Sequence, residues 1–150
     1  MGTQQIGRSG ELLVQYKLLK LGYESAPMTT DSGIDLVVFS SSLQRALTIQ
    51  VKANAGPKRG GGKGKLALDW WIAEDCPSEL AAFVDISADR VWIFTKPEVA
   101  AFSQQHSSGR FHLYMYVDST VKIRGSKRAL QTDFDDFLLE SRVKHLLGAR

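Results

Sequence analysis

The chain has 150 residues, 43% of them hydrophobic and 23% charged, the balance of a folded globular protein and not of a disordered tail. No apolar run approaches the roughly 20 residues that a membrane-crossing helix needs, and the single cysteine excludes an internal disulfide and a metal site built from several thiolates. The formal charge of +3 is modest, so a polyanion partner has to be sought in how the charge is distributed.

The opening MGTQQIGRSGE lacks the charged-then-apolar order of a signal peptide, and Ile6 stands where a myristoylation pattern needs Ser or Thr. A cytoplasmic protein with residues 1–150 in one domain is expected. In ELLVQYKLLKLG, Leu12, Leu13, Tyr16 and Leu19 fall at helical spacing, and Gly22 is placed to cap the helix C-terminus. The helix is expected to begin after Thr3 as N-cap, with Gly7 and Gly10 in its first turns. A short extended piece, YESAP, closes at Pro27. GIDLVVFS reads as a strand of mostly β-branched and apolar residues, with Asp35 near its start.

TIQVKAN follows, with Ile49, Val51 and Ala53 alternating with Gln50, Lys52 and Asn54. That is the period of a strand with one apolar and one polar face, and it puts Gln50 and Lys52 on the same face, about 6.6 Å apart. The glycine-rich GPKRGGGKGK resembles a phosphate-cradling loop, but neither Gly-Lys pair has the preceding Gly and following Ser or Thr that a P-loop requires. It reads instead as a mobile cationic loop. Adjacent Trp70 and Trp71, read as following a strand, are expected to pack a core or a subunit contact, with base stacking as the alternative, and AEDCPSE, with Cys76, reads as an exposed loop. A hairpin is expected across AAFVDISADRVWIFT, with its turn near SADR. Pro97 opens a helix to about Gln105, FHLYMYV is a further strand, and Thr132 with Asp135 resembles a capping box before the last helix, FDDFLLESRVKHLL. His106, His112 and His145 are scattered and read as surface or core histidines.

Charge is concentrated in two places. Lys52, Lys58, Arg59, Lys63 and Lys65 are uninterrupted by an acidic residue, and Lys122, Arg124, Lys127 and Arg128 form a second group. Such groups are either solvated faces or contacts for a nucleic-acid backbone. Asp35, inside an apolar strand, is costly unless paired, hydrated or metal-bound. Two kinds of arrangement meet that need: a place at the strand's frayed end or an ion pair with Lys52, or else a divalent cation held by oxygens of Asp35 and Gln50 from neighbouring strands, with Glu11 reaching it directly or through water. In the second, Lys52 stands beside the attacking water or the phosphate, where a cation stabilises developing negative charge.

GRSGE, DSGIDLVVF and IQVKAN together resemble the three active-site motifs of the PD-(D/E)XK nuclease superfamily, most of all its small Holliday-junction-resolvase-like members and its bacterial intron-encoded (homing) endonucleases. The motifs lie within residues 8 to 54, and the expected order of elements matches to about residue 117. The resemblance implies an α/β fold with a restriction-endonuclease-like αβββαβ core, its mixed central sheet flanked by helices. It implies an Mg²⁺-dependent endodeoxyribonuclease (Mn²⁺ as substitute) acting on double-stranded or branched DNA as a homodimer or homotetramer. Asp35, Gln50 and Glu11 would serve the metal, Lys52 would orient or activate water, and Lys58, Arg59, Lys63, Lys65, Lys122, Arg124, Lys127 and Arg128 would contact DNA. Two residues depart from the motif: Ile34 replaces Pro, at a position that is not a ligand, and Gln50 replaces Asp or Glu. The second removes a negative charge and leaves open a catalytically inactive nucleic-acid-binding module of the same fold.

Overall fold

The computed structural model describes every residue except Asp31, Lys63 and Arg150; the expected DNA contact by Lys63 therefore lies outside the described residues. Helix α1 (Thr3–Lys20) leads to the strands β1 (Ser25–Pro27), β2 (Leu36–Ser40) and β3 (Arg45–Asn54). Next come β4 (Lys58–Arg59), a 3₁₀ turn (Gly60–Gly62), β5 (Leu66–Ala73) and the hairpin of β6 (Leu80–Asp85) with β7 (Arg90–Thr95). Helix α2 (Lys96–Phe102), the hairpin of β8 (Gln105–Ser107) with β9 (Arg110–Tyr116), a 3₁₀ segment (Gln131–Phe137) and α3 (Leu139–Leu147) complete the order.

Helix α1 starts one residue earlier than expected, with Gly2 as N-cap. Its end is the glycine-capped type: the Tyr23 N–H donates to Leu18 O at 2.9 Å and the Gly22 N–H to Leu19 O at 2.9 Å, with Gly22 at φ 91°. This is the Schellman pattern, which a glycine in the left-handed region makes cheaply. Gly10 serves a different end. A Cβ there would lie 2.7 Å from Ala53 Cβ, so its absence lets α1 press directly on β3.

The central sheet has the order β1-β2-β3-β6-β7. It is mixed, as expected: β3 and β6 run parallel, and the other neighbours antiparallel. Parallel neighbours need a crossover, usually helical. Here the crossover consists of β4 and β5, which join a second antiparallel sheet of order β4-β5-β9-β8. The cationic loop is thus partly ordered, because Lys58 and Arg59 pair with Ala67 and Leu66.

Two apolar layers result. On one face of the central sheet, Ile49, Val51, Val84 and Ile93 pack with Val14 and Leu18 of α1 and with Leu139, Val143 and Leu147 of α3. On the other, Phe83, Trp92 and Phe94 pack with Leu68, Trp70, Leu113 and Met115 of the second sheet. Trp70 and Trp71 do not follow a strand but belong to β5, whose alternation buries Trp70 in the core and sends Trp71 outward. The last helix is shorter than expected. Residues 131–137 form a 3₁₀ segment, and Leu138 breaks the helix in an extended conformation (φ −56°, ψ 139°), forming a β-bridge to Trp92. Two bonds fasten the end of α3: the Tyr23 hydroxyl donates to Gly148 O at 2.6 Å, and the Ser40 hydroxyl to Leu147 O at 2.5 Å. Among the described residues, no helix is long and apolar enough to cross a membrane.

Candidate active site

The β2–β3 ladder ends at the pair Leu36↔Ile49. β3 continues to Asn54 with β6 alone as neighbour, so its edge is open on the β2 side from Gln50 onward. Asp35, the residue just before β2, sits at this fork. Its own N–H donates to Ile49 O at 2.9 Å, and its carboxylate Oδ2 accepts from the Val51 N–H at 2.7 Å and from Gln50 Nε2 at 3.0 Å. A carboxylate held by two N–H donors, one of them backbone, has a fixed direction.

Val51 and Ala53 face α1, as the close approach of Gly10 to both requires, so Gln50, Lys52 and Asn54 face the other way, towards the second sheet. Asn54 joins the two sheets there: its Nδ2 donates to Asp69 O at 2.8 Å and its Oδ1 accepts from the Asp69 N–H at 2.9 Å. Beyond the fork lies a cleft of about 770 Å³, lined by Asp35, Gln50, Lys52, Asn54 and Lys58 and, from α1, by Thr3, Ile6 and Gly7. Among the described residues no ion pair joins Asp35 to Lys52. The bonds that offset the cost of placing Asp35 in an apolar strand come from Gln50 and Val51 instead.

The loop between β5 and β6 supports Gln50 from behind. Cys76 Sγ lies 3.5 Å from both Gln50 Oε1 and Gly33 O, and the Ser78 hydroxyl donates to Gly33 O at 2.7 Å. Cys76 and Ser78 are therefore buried, at 5% and 1% exposure, although AEDCPSE was expected to be an exposed loop. Its charged residues Glu74, Asp75 and Glu79 are exposed; the small polar ones turn inward.

Of the four expected catalytic residues, Asp35, Gln50 and Lys52 share the cleft. Glu11 does not line it. Its carboxylate accepts from Arg8 Nη1 at 3.0 Å, one turn along α1 from Gly7. Among the described residues, no group of three or more His, Cys, Asp or Glu side chains could hold a metal ion. An oxygen site here rests on one carboxylate and one amide, a set that fits a hard cation retaining several waters.

The two basic groups do meet. Lys65 lies in one depression of about 370 Å³ with Lys122, Arg124 and Lys127, together with Tyr114 and Tyr116. Lys58, Arg59 and Lys65 border a second depression of about 450 Å³, over the outer face of the second sheet, and Lys58 also lines the cleft. The arrangement is a continuous cationic border from the fork to residues 122–127. Arg128 lines none of these. Its guanidinium donates to Asp133 O at 3.1 Å and lies over the Phe102 ring at 5.1 Å.

The sequence reading did not anticipate the role of His112. Its Nε2 lies 2.9 Å from Asp69 Oδ2, its Nδ1 lies 3.0 Å from Gln105 Oε1, and its ring stacks on Trp71 at 4.0 Å. The alternation of FHLYMYV carries the only local signal, since it places His112, Tyr114 and Tyr116 on one face.

The fold defined by the mixed sheet, its flanking helices and the cleft at the strand fork is a nuclease-like α/β fold. No protein-family model matches the chain, and no curated relative matches it. Among solved structures, that of the bacterial homing endonuclease I-Ssp6803I is similar, with a TM-score of 0.62 over 98% of this chain and 91% of that one, at 16% identity. At that identity the likeness is one of fold.

Proposed function

We propose that the chain is a metal-dependent DNA endonuclease of the PD-(D/E)XK type that hydrolyses phosphodiester bonds in double-stranded or branched DNA, assembled as a homodimer or homotetramer. One observation carries this reading: Asp35, Gln50 and Lys52 converge in a single cleft at the fork of β2 and β3, and the cationic border leads away from it. The likeness to a homing endonuclease fold supports it.

Asp35 is the main candidate for holding Mg²⁺, through Oδ1, which accepts no hydrogen bond from a described residue while Oδ2 takes two. Gln50 adds its carbonyl oxygen if the amide turns over, and Cys76 can then accept from the amide nitrogen as a weak partner. Bound Mg²⁺ would polarise a phosphoryl oxygen and acidify a water. The Lys52 ammonium, on the same strand face as Gln50, is placed to stabilise charge building on the phosphate. Glu11 takes part only if its carboxylate leaves Arg8.

A second reading, a silent DNA-binding module, has one observation in its favour: the Gln50 amide N–H donates a hydrogen bond to Asp35 Oδ2, an arrangement that helps satisfy the carboxylate without a cation. Nicking of supercoiled plasmid with and without Mg²⁺ decides between them. Mg²⁺-dependent nicking that disappears in Asp35→Asn supports the endonuclease. DNA binding without nicking in Mg²⁺ or Mn²⁺ refutes it and leaves the binding module.

A further inference from the structure

The outer face of the second sheet carries a row of rings. Inward-pointing Leu68, Trp70, Ile72, Leu113 and Met115 are buried, so Asp69 and Trp71 of β5 and His112, Tyr114 and Tyr116 of β9 point outward. Trp71 and His112 are directly opposed across the ladder, and their rings lie parallel within 2° at 4.0 Å. The row continues from His112 to Tyr114 at 5.5 Å and from Tyr114 to Tyr116 at 5.4 Å. A cation caps each end: Arg110 lies over Trp71 at 4.7 Å and Lys65 over Tyr116 at 6.0 Å. Only Trp71 and His112 stack face to face, with Arg110 over the indole; His112, Tyr114 and Tyr116 are tilted to one another by 57° and 60°, so polar atoms and ring edges are presented alongside the ring faces.

Those polar atoms form a connected set. Gln105, opposite His112 on β8, shares the imidazole with Asp69, and Lys58 Nζ lies 4.0 Å from Asp69 Oδ1. The Tyr114 hydroxyl is a proton donor at neutral pH, as any tyrosine's is, and burial, with the neighbouring Tyr116, raises its pKa further. The cations Lys58, Arg59 and Lys65 border this face.

We infer that this face reads base edges in the major groove of a DNA duplex. The inference rests on the proposed function and goes beyond it, giving the cleft a means of choosing where to act. The central ladder of β5 and β9, flanked by the short strands β4 and β8, makes a face about 14 Å across that lies against the mouth of a groove about 12 Å wide. The polar groups match the groove's chemistry: a Gln amide pairs with adenine, and a carboxylate accepts from the cytosine amino group. An acidic Asp69 amid phosphate-binding cations is unfavourable against the DNA backbone but suited to a base edge. The bordering lysines and arginine fix the register on phosphates, which carry no sequence information.

The test is a binding selection from a randomised duplex library in EDTA, with the parent and with Gln105→Ala, Tyr114→Phe and Lys65→Gln. Tyr114→Phe keeps the ring and removes only the hydroxyl, so it is the variant least exposed to misfolding. Gln105→Ala and Tyr114→Phe should each lose at least about five-fold discrimination at one or more base pairs, with the salt dependence unchanged. Lys65→Gln should keep the parent's preferences and flatten the plot of log affinity against log salt by about 0.9. A parent without sequence preference, or preferences unchanged in both Gln105→Ala and Tyr114→Phe, overturns the inference. Plasmid nicking by the parent in Mg²⁺, run alongside, separates the two ideas: selective binding without nicking refutes only the endonuclease, and nicking with unchanged preferences refutes only the groove reader.

Discussion

Gln50 Nε2 donates to Asp35 Oδ2 at 3.0 Å, while Gln50 Oε1 is turned to the Cys76 thiol at 3.5 Å. The residue that departs from the motif the sequence resembles is thus also the one that holds Asp35. Gln50→Glu would set two carboxylates side by side, and like charges at that distance favour either protonation or a bridging cation. Without metal, the variant should melt a few degrees below the parent. With Mg²⁺ and uncleavable DNA, it should bind the metal about ten-fold more tightly. Gln50→Leu should lose metal binding. Identical calorimetric Mg²⁺ titrations for the three proteins would refute ligation by Gln50.

Lys52 acts, in the proposed mechanism, on charge that appears only in the transition state. Lys52→Ala should lower the single-turnover cleavage rate by about 10²- to 10³-fold and leave DNA affinity within a few fold. A cleavage rate equal to the parent's removes Lys52 from the site.

The two early glycines of α1 should respond oppositely to alanine. At Gly7 an added Cβ meets nothing within 4 Å, so Gly7→Ala should stabilise the fold by about 0.5–1 kcal/mol through helix propensity. At Gly10 the same methyl lies 2.7 Å from Ala53 Cβ, and overpacking costs about 1–3 kcal/mol. Urea denaturation of both variants checks this; stabilisation by Gly10→Ala would show that α1 rides on β3 more loosely than described.

Glu98 joins two helices. It caps α2 by accepting from the Thr95 N–H at 2.8 Å and receives two bonds from Arg142 of α3, each 2.8 Å. Burial pushes its pKa up, but the bonds from Arg142 and Thr95 outweigh that and hold it below the usual carboxylate range. A carboxyl more acidic in the folded chain than in the unfolded one stabilises the fold above its unfolded pKa, and that contribution fades as pH falls through the folded value. Glu98→Gln should therefore cost about 0.5–2 kcal/mol at neutral pH, and the gap to the parent should narrow below about pH 4. A gap constant from pH 7 to pH 3, read from urea midpoints, would assign the loss to shape rather than charge.

Local periodicity disclosed the parts of the site that lie close together in the chain. The alternation in TIQVKAN placed Gln50 and Lys52 on one face, Asp35 fell at the start of its strand, and Gly22 marked the helix end. What remained hidden depends on partners far apart in sequence. The Asp35–Gln50 bond needs β2 and β3 in register. His112 gains its role from Asp69, 43 residues away. Leu138 leaves the helical pattern of FDDFLLESRVKHLL because it bridges to Trp92, and no local propensity encodes that. The strand-built crossover was equally illegible, since Lys58 and Arg59 become a strand only when β5 offers an edge.

The bonds that fasten the end of α3 reach back 125 residues to Tyr23 and 107 to Ser40, and the apolar face they close is the one shared by α1, β2 and β3. Contacts of such sequence separation form late, after the entropy of closing a long loop has been overcome. On a ribosome, the first half of this chain emerges with Val14, Leu18 and Ile49 awaiting Leu139, Val143 and Leu147. The α1-side layer can be sealed only when α3 leaves the exit tunnel. Until then the nascent chain carries an uncovered apolar face of the kind chaperones bind.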